Sequence, residues 1–143
     1  LRRRQRQMCI RDRMKYLVKP IVDGDCIGEA VVIDDWISFF GEIDPNRGIH
    51  VVSGKEIVDK VLVFRGGRGS TVGSYIIYAL KKNNLHPRCM IVGYAEPIII
   101  VGAVLADIPL LIVDDFEDFI SSIKDGVSIY YRRGYGYLVV NYE

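Results

Sequence analysis

A chain of 143 residues, 50% of them hydrophobic, is long enough to bury a core and short enough that one domain is the default. Its aliphatic runs, at 61–64, 98–101 and 110–113, fall far short of the ~20 apolar residues that a membrane-spanning helix needs, so a soluble, cytoplasmic protein without a membrane partner is expected. The formal charge of +1 averages two unlike pieces: residues 1–13 hold six Arg against one Asp, whereas the other 130 hold 13 Lys and Arg against 17 Asp and Glu, a mildly acidic body that does not suit nucleic acid.

The arginine-rich start, LRRRQRQMCIRDR, reads as a nucleic-acid arm or a targeting peptide at first sight. The string QMCIRDR, however, resembles translated sequencing-adapter read-through, and Met14 follows it as a natural start. Residues 1–13 are therefore expected to be an artefactual, disordered tail, with the domain in 14–143. In that domain Cys26 and Cys89 stand far apart with no His at metal-ligand spacing, so neither a zinc site nor a self-contained iron–sulfur site is expected, and reduced thiols are the simplest reading.

From Met14, strand patterns over 16–22 and 29–33 flank the turn-forming Asp23-Gly24-Asp25, which predicts an opening hairpin. Residues 37–49 mix aromatics with Gly41, Asp44-Pro45 and Asn46-Arg47-Gly48 and read as a structured loop. The continuous β-type run 61–64 predicts a strand buried on both faces. A glycine-rich turn follows, and Val72, Tyr75, Ile76, Ala79 and Leu80 recur at helical spacing until Asn83-Asn84 stops the helix. Residues 89–92 make another strand. Pro97 suits a first helical turn, and 98–106 would then be apolar all round, which implies a buried helix, with a strand as the alternative. A strand over 109–113, a short helix over 116–123 and a closing hairpin around Arg133-Gly134 complete the chain. The fold class is α/β: a mixed β-sheet or barrel flanked by helices.

The segment Gly66-Gly67-Arg68-Gly69-Ser70-Thr71-Val72-Gly73-Ser74 is the most informative, because glycines between a strand and a helix let backbone N–H groups converge on an anion. It lacks the Gly-Lys-Ser/Thr of a Walker A loop, and its glycines fall one residue out of the dinucleotide fingerprint. A serine here can have its alkoxide stabilised by the helix end and by Arg65 or Arg68, and so take a proton from carbon. Each well-aimed donor in such a site contributes roughly 3 kcal/mol to transition-state binding. The competing reading is that Ser70 or Thr71 only caps the helix, for about 1 kcal/mol. Glu96, just before Pro97, reads equally as a substrate-orienting group and as a residue favoured at a helix start. His50 and His86 stand alone and receive no role. Trp36 and the tyrosines over 130–137 fit either a protein contact or ordinary strand packing.

Gly69-Ser70-Thr71-Val72-Gly73-Ser74-Tyr75 resembles the signature of the aconitase X swivel domain. Ile37-Ser38-Phe39-Phe40-Gly41-Glu42-Ile43-Asp44-Pro45 is similar to an upstream block of that family, and Ala95-Glu96-Pro97 with Gly102-Ala103-Val104-Leu105-Ala106-Asp107-Ile108-Pro109 to a downstream one. The chain departs from the family pattern at Asn46-Arg47-Gly48, where a Thr-Gly turn is common, and at Arg65, often Pro. The resemblance implies a swivelling β/β/α domain that forms the small subunit of a heterodimeric hydro-lyase, active only with a large subunit. It further implies that this partner carries the iron–sulfur (4Fe-4S) cluster, whose iron takes the departing hydroxyl, and that this chain binds none. The implied substrate is a small phosphorylated hydroxy acid: dehydration of mevalonate 5-phosphate to trans-anhydromevalonate 5-phosphate in isoprenoid biosynthesis, with cis-3-hydroxy-L-proline as the alternative. It puts the proton acceptor on Ser70, with Ser74 as second candidate, and substrate contacts on Arg68, Gly69, Thr71, Ser74 and Glu96.

Overall fold

The computed structural model describes residues 13–141, and the side chains from Met14 onward. The arginine-rich tail up to residue 12 lies outside them. In chain order the elements are β1 (Arg13–Val22), β2 (Cys26–Ile37), α1 (Phe39–Glu42), β3 (Ile43–Asp44), β4 (Ile49–His50), β5 (Lys55–Glu56) and β6 (Val61–Gly67). Then follow α2 (Gly73–Lys82), β7 (Cys89–Val92), α3 (Pro97–Ala106), β8 (Leu110–Val113), α4 (Phe116–Ser122), β9 (Ser128–Tyr131) and β10 (Tyr137–Asn141). Strands close into a barrel in the order β1-β10-β9-β2-β6-β7-β8, while β3, β4 and β5 form a small separate sheet. Within the barrel β2, β6, β7 and β8 run parallel, and β1, β9 and β10 pair antiparallel. The expected α/β class, a mixed barrel flanked by helices, is what forms. No helix among the described residues is long and apolar enough to cross a membrane.

Two-residue alternation divides the core. Val61, Val63, Cys89 and Ile91 face a cluster to which all seven barrel strands contribute, plugged by Phe119 and Ile120 of α4. Leu62, Phe64, Met90 and Val92 face the other way, into a cluster shared with Ile77 and Leu80 of α2 and Ile99 and Ala103 of α3. The run at the start of β6 is thus buried on both faces, as its composition predicts. The two helices pack side by side because Gly102 of α3 carries no side chain: a Cβ there would stand 2.6 Å from Ile77 Cδ1.

Four expectations are corrected. β1 and β2 do not form a hairpin. Both edges of β1 are filled by β10 and β8 and both edges of β2 by β6 and β9, while the turn between them is tied elsewhere, Asp23 accepting from Tyr131 Oη and Asp25 from the Arg133 N–H. Second, the loop expected over 37–49 contributes β3 and β4 to the small sheet, while α1 within it is one irregular turn, non-helical at Phe40 and Gly41. Third, α3 is only half buried, since Ile99, Gly102, Ala103 and Ala106 turn inward and the opposite side faces out. Fourth, Cys26 and Cys89 are not free thiols but a disulfide, with Cα atoms 5.6 Å apart across 63 residues of sequence. β6 begins only at Val61, opposite Ala30, so the first residues of β2 pass below its end and meet the start of β7.

Candidate functional site

β6 delivers the glycine-rich loop to the end of the barrel where the parallel strands finish. Gly66 and Gly67 close β6 against bulky neighbours: a Cβ on Gly66 would meet the Trp36 ring at 2.5 Å, and one on Gly67 would meet Glu96 Oε1 at 2.6 Å. Gly69 then turns the chain with φ +93°, a conformation suited to glycine, beside Ser38 Oγ. Ser70 is exposed. Its Oγ accepts the Val72 N–H at 3.1 Å and its carbonyl accepts the Gly73 N–H at 3.0 Å, so the serine closes a turn in front of α2 instead of occupying the helix itself. The helix expected from the loop onward starts at Gly73, three residues after Ser70.

The other candidates divide around this turn. Thr71 and Ser74 come together in a groove of about 400 Å³ that they line with Tyr75, Pro97, Ile98 and Val101. Ser74 is buried and donates its hydroxyl to the Thr71 carbonyl at 3.2 Å, whereas Thr71 is exposed. Glu96 caps α3: its two carboxylate oxygens accept the Ile98 and Ile99 N–H groups at 3.0 and 2.9 Å, and the same carboxylate lies against Gly67. The helix-start reading of Glu96 is the one that forms, as a cap of α3 at the edge of the loop.

Arg68 is the cation of the site. Its backbone N–H is held by the Ile37 carbonyl at 3.0 Å, its Nε donates to the Trp36 carbonyl at 3.3 Å, and its Nη2 pairs with Glu42 Oε2. Arg65 is drawn away. Its guanidinium holds Glu117 at 2.5 Å and Asp34 at 2.7 Å, and the Glu117 bond raises the pKa of Arg65 while Arg65 lowers that of Glu117. Of the two arginines expected to support Ser70, the fold brings only Arg68 to the loop.

Residues the sequence reading passed over stand behind Arg68. Glu42 Oε1 accepts the Ser38 N–H at 3.2 Å and faces His50 Nε2 at 3.6 Å. His50 is buried, with Nδ1 against Ser53 Oγ at 2.8 Å. No local pattern announces this chain of contacts, because Glu42, His50 and Arg68 come from α1, β4 and the loop after β6. Among the described residues no three His, Cys, Asp or Glu side chains gather where they could hold a metal ion, and Cys26 and Cys89 are joined to each other.

The aconitase X swivel-domain family matches residues 15–140. The phosphomevalonate dehydratase small subunit of Aeropyrum pernix is 45% identical over 117 residues, spanning 81% of this chain and 86% of the relative. That of Thermococcus onnurineus is 42% identical over 132 residues, 89% of this chain and 98% of the relative. The crystal structure of Thermococcus kodakaraensis aconitase X in its holo form superposes with a TM-score of 0.80 at 41% identity, covering 88% of this chain and 97% of that one.

Proposed function

The chain belongs to the aconitase X swivel-domain family, and from that premise we propose that it is the small subunit of a phosphomevalonate dehydratase, a hydro-lyase that works only when joined to a large subunit. The reaction removes water from mevalonate 5-phosphate. A proton leaves the carbon beside the carboxylate, hydroxide leaves the next carbon, and the double bond of trans-anhydromevalonate 5-phosphate forms between them.

Ser70 takes that proton. The observation that carries the assignment is the placement of its hydroxyl: exposed, on the Val72 N–H, in front of the α2 N-terminus and two residues from Arg68. An N–H and a helix end stabilise an alkoxide, and the same features hold it in position before the substrate arrives. Ser74 is worse placed, being buried within the helix with its hydroxyl donated to Thr71. Arg68, the Gly69 N–H and Thr71 supply donors for the substrate's anionic ends, Ser74 lines the groove beside them with its hydroxyl held by the Thr71 carbonyl, and Glu96 orients the substrate's hydroxyl from the cap of α3.

This chain's residues do not fit an iron–sulfur cluster, since the two described cysteines form a bridge and no other ligand set assembles among the described residues. We therefore assign any such cluster to the large subunit. In the reconstituted heterodimer, loss of one water from mevalonate 5-phosphate, followed by mass spectrometry, tests the activity. Ser70→Ala should lower kcat by about 10²–10⁴-fold, the range for removal of a general base, with little change in KM. Full activity in Ser70→Ala would remove the base assignment, and turnover of cis-3-hydroxy-L-proline in place of mevalonate 5-phosphate would remove the substrate.

A further inference from the structure

α3 is mismatched to its surroundings. Its ten residues carry no charge, and a helix that is apolar on every side belongs in an interior. Yet Val101, Val104 and Leu105 are 48%, 61% and 52% exposed. With Pro97 they recur at i, i+4, i+7 and i+8, which makes one continuous outward stripe. Tyr75 of α2 stands beside it at 67% exposure, and the groove between the helices joins Tyr75 and Val101 to Thr71 and Ser74.

We infer that this outward stripe of α3, with Tyr75 of α2, is the surface on which the large subunit docks. The inference rests on the two-chain reading above and adds where the chains meet. Three observations support it. The helix has the composition of an interior element but lacks half of its interior. Depletion of charge with an aromatic alongside is the make-up of an interface core, and Lys81, Lys82 and Asp107 near the far ends of the two helices provide a polar rim. Most directly, the stripe is continuous with the Ser70 loop through Thr71 and Ser74, so a partner seated on it closes over the candidate base. Another apolar groove, on the sheet face lined by Tyr130, Tyr135 and Tyr137, is interrupted by Lys15 and Glu29 and shares no residue with that loop.

The test is binding of the large subunit by isothermal titration calorimetry, with assembly followed in parallel by sedimentation. Val104→Asp and Val101→Asp should each weaken the heterodimer at least tenfold, because each would bury an unpaired carboxylate, while the melting temperature of the free small subunit stays near wild type. Tyr135→Asp, on the sheet groove, should leave the affinity unchanged. As a measurement free of mutation, amide exchange over 97–106 should slow when the complex forms. Unchanged affinity in both valine variants, or unchanged exchange over α3 in the complex, would overturn the inference. So would loss of binding in Tyr135→Asp alone, or self-association of the free chain that Val104→Asp abolishes, which would make a second copy the occupant. A heterodimer that responds to Val104→Asp but leaves mevalonate 5-phosphate intact would uphold the docking surface and refute the substrate.

Discussion

On the proposed function Arg68 meets the substrate, and Glu42, together with the Trp36 carbonyl, sets where its guanidinium points. Because the Glu42 carboxylate also takes the Ser38 N–H and faces His50, Glu42→Gln should weaken the pull on the guanidinium while leaving the barrel intact. The expected result is a KM for mevalonate 5-phosphate raised about tenfold, the size of one charge-assisted hydrogen bond, with kcat and melting temperature little changed. Gly69 is the other sensitive residue: at φ +93° an alanine is strained by about 1–2 kcal/mol, and its Cβ would strike Ser38 Oγ. Urea unfolding of Gly69→Ala should show that loss. His86 governs a response to pH. Its Nδ1 is buried without a hydrogen-bond partner among the described residues, and burial, with Lys81 adding to it and Asp59 opposing, holds its pKa below the ordinary 6.5. The unfolded chain therefore takes up the proton first, so stability present at pH 7 declines as the pH falls through 6.5. A His86→Leu chain should lose less stability between pH 7.5 and 5.5 than the wild type, measured as the shift in the urea midpoint.

At the level of elements, legibility followed the range of the forces involved. β6 and α2 could be read because a buried run and a 3.6-residue period are local properties of Val61–Gly67 and Gly73–Lys82. The β1–β2 hairpin failed because its turn residues were already committed: Asp23 and Asp25 serve the β9–β10 end of the molecule, more than 100 residues away. Partner choice among strands is non-local, and a turn signature alone does not fix it. At the site, the Ser70 loop was legible from its glycines and its family resemblance. Glu42 and His50 were not, since nothing in either residue's own neighbourhood points to Arg68. α3 was legible in kind but not in burial. Its attachment can be tested at Gly102, where alanine would press on Ile77 from 2.6 Å. Overpacking of this sort costs typically about 1–3 kcal/mol, so Gly102→Ala should lower the melting temperature and move α3 relative to α2.

For the molecule as a whole, the barrel is closed twice, once by hydrogen bonds around its circumference and once by the Cys26–Cys89 bridge inside it. A link across 63 residues removes enough freedom from the unfolded chain to contribute roughly 4 kcal/mol on the chain-entropy account. Unfolding with and without a reductant measures that contribution directly. Both sulfur-bearing residues have no solvent exposure and lie among the side chains that fill the barrel. A small thiol such as dithiothreitol can therefore reach them only when the wall of strands parts, and under native conditions the appearance of free sulfhydryls becomes a clock for that breathing. Its rate, followed by acid quenching, removal of the reductant and mass spectrometry of alkylated Cys26 and Cys89, would time an opening of the scaffold that carries Ser70.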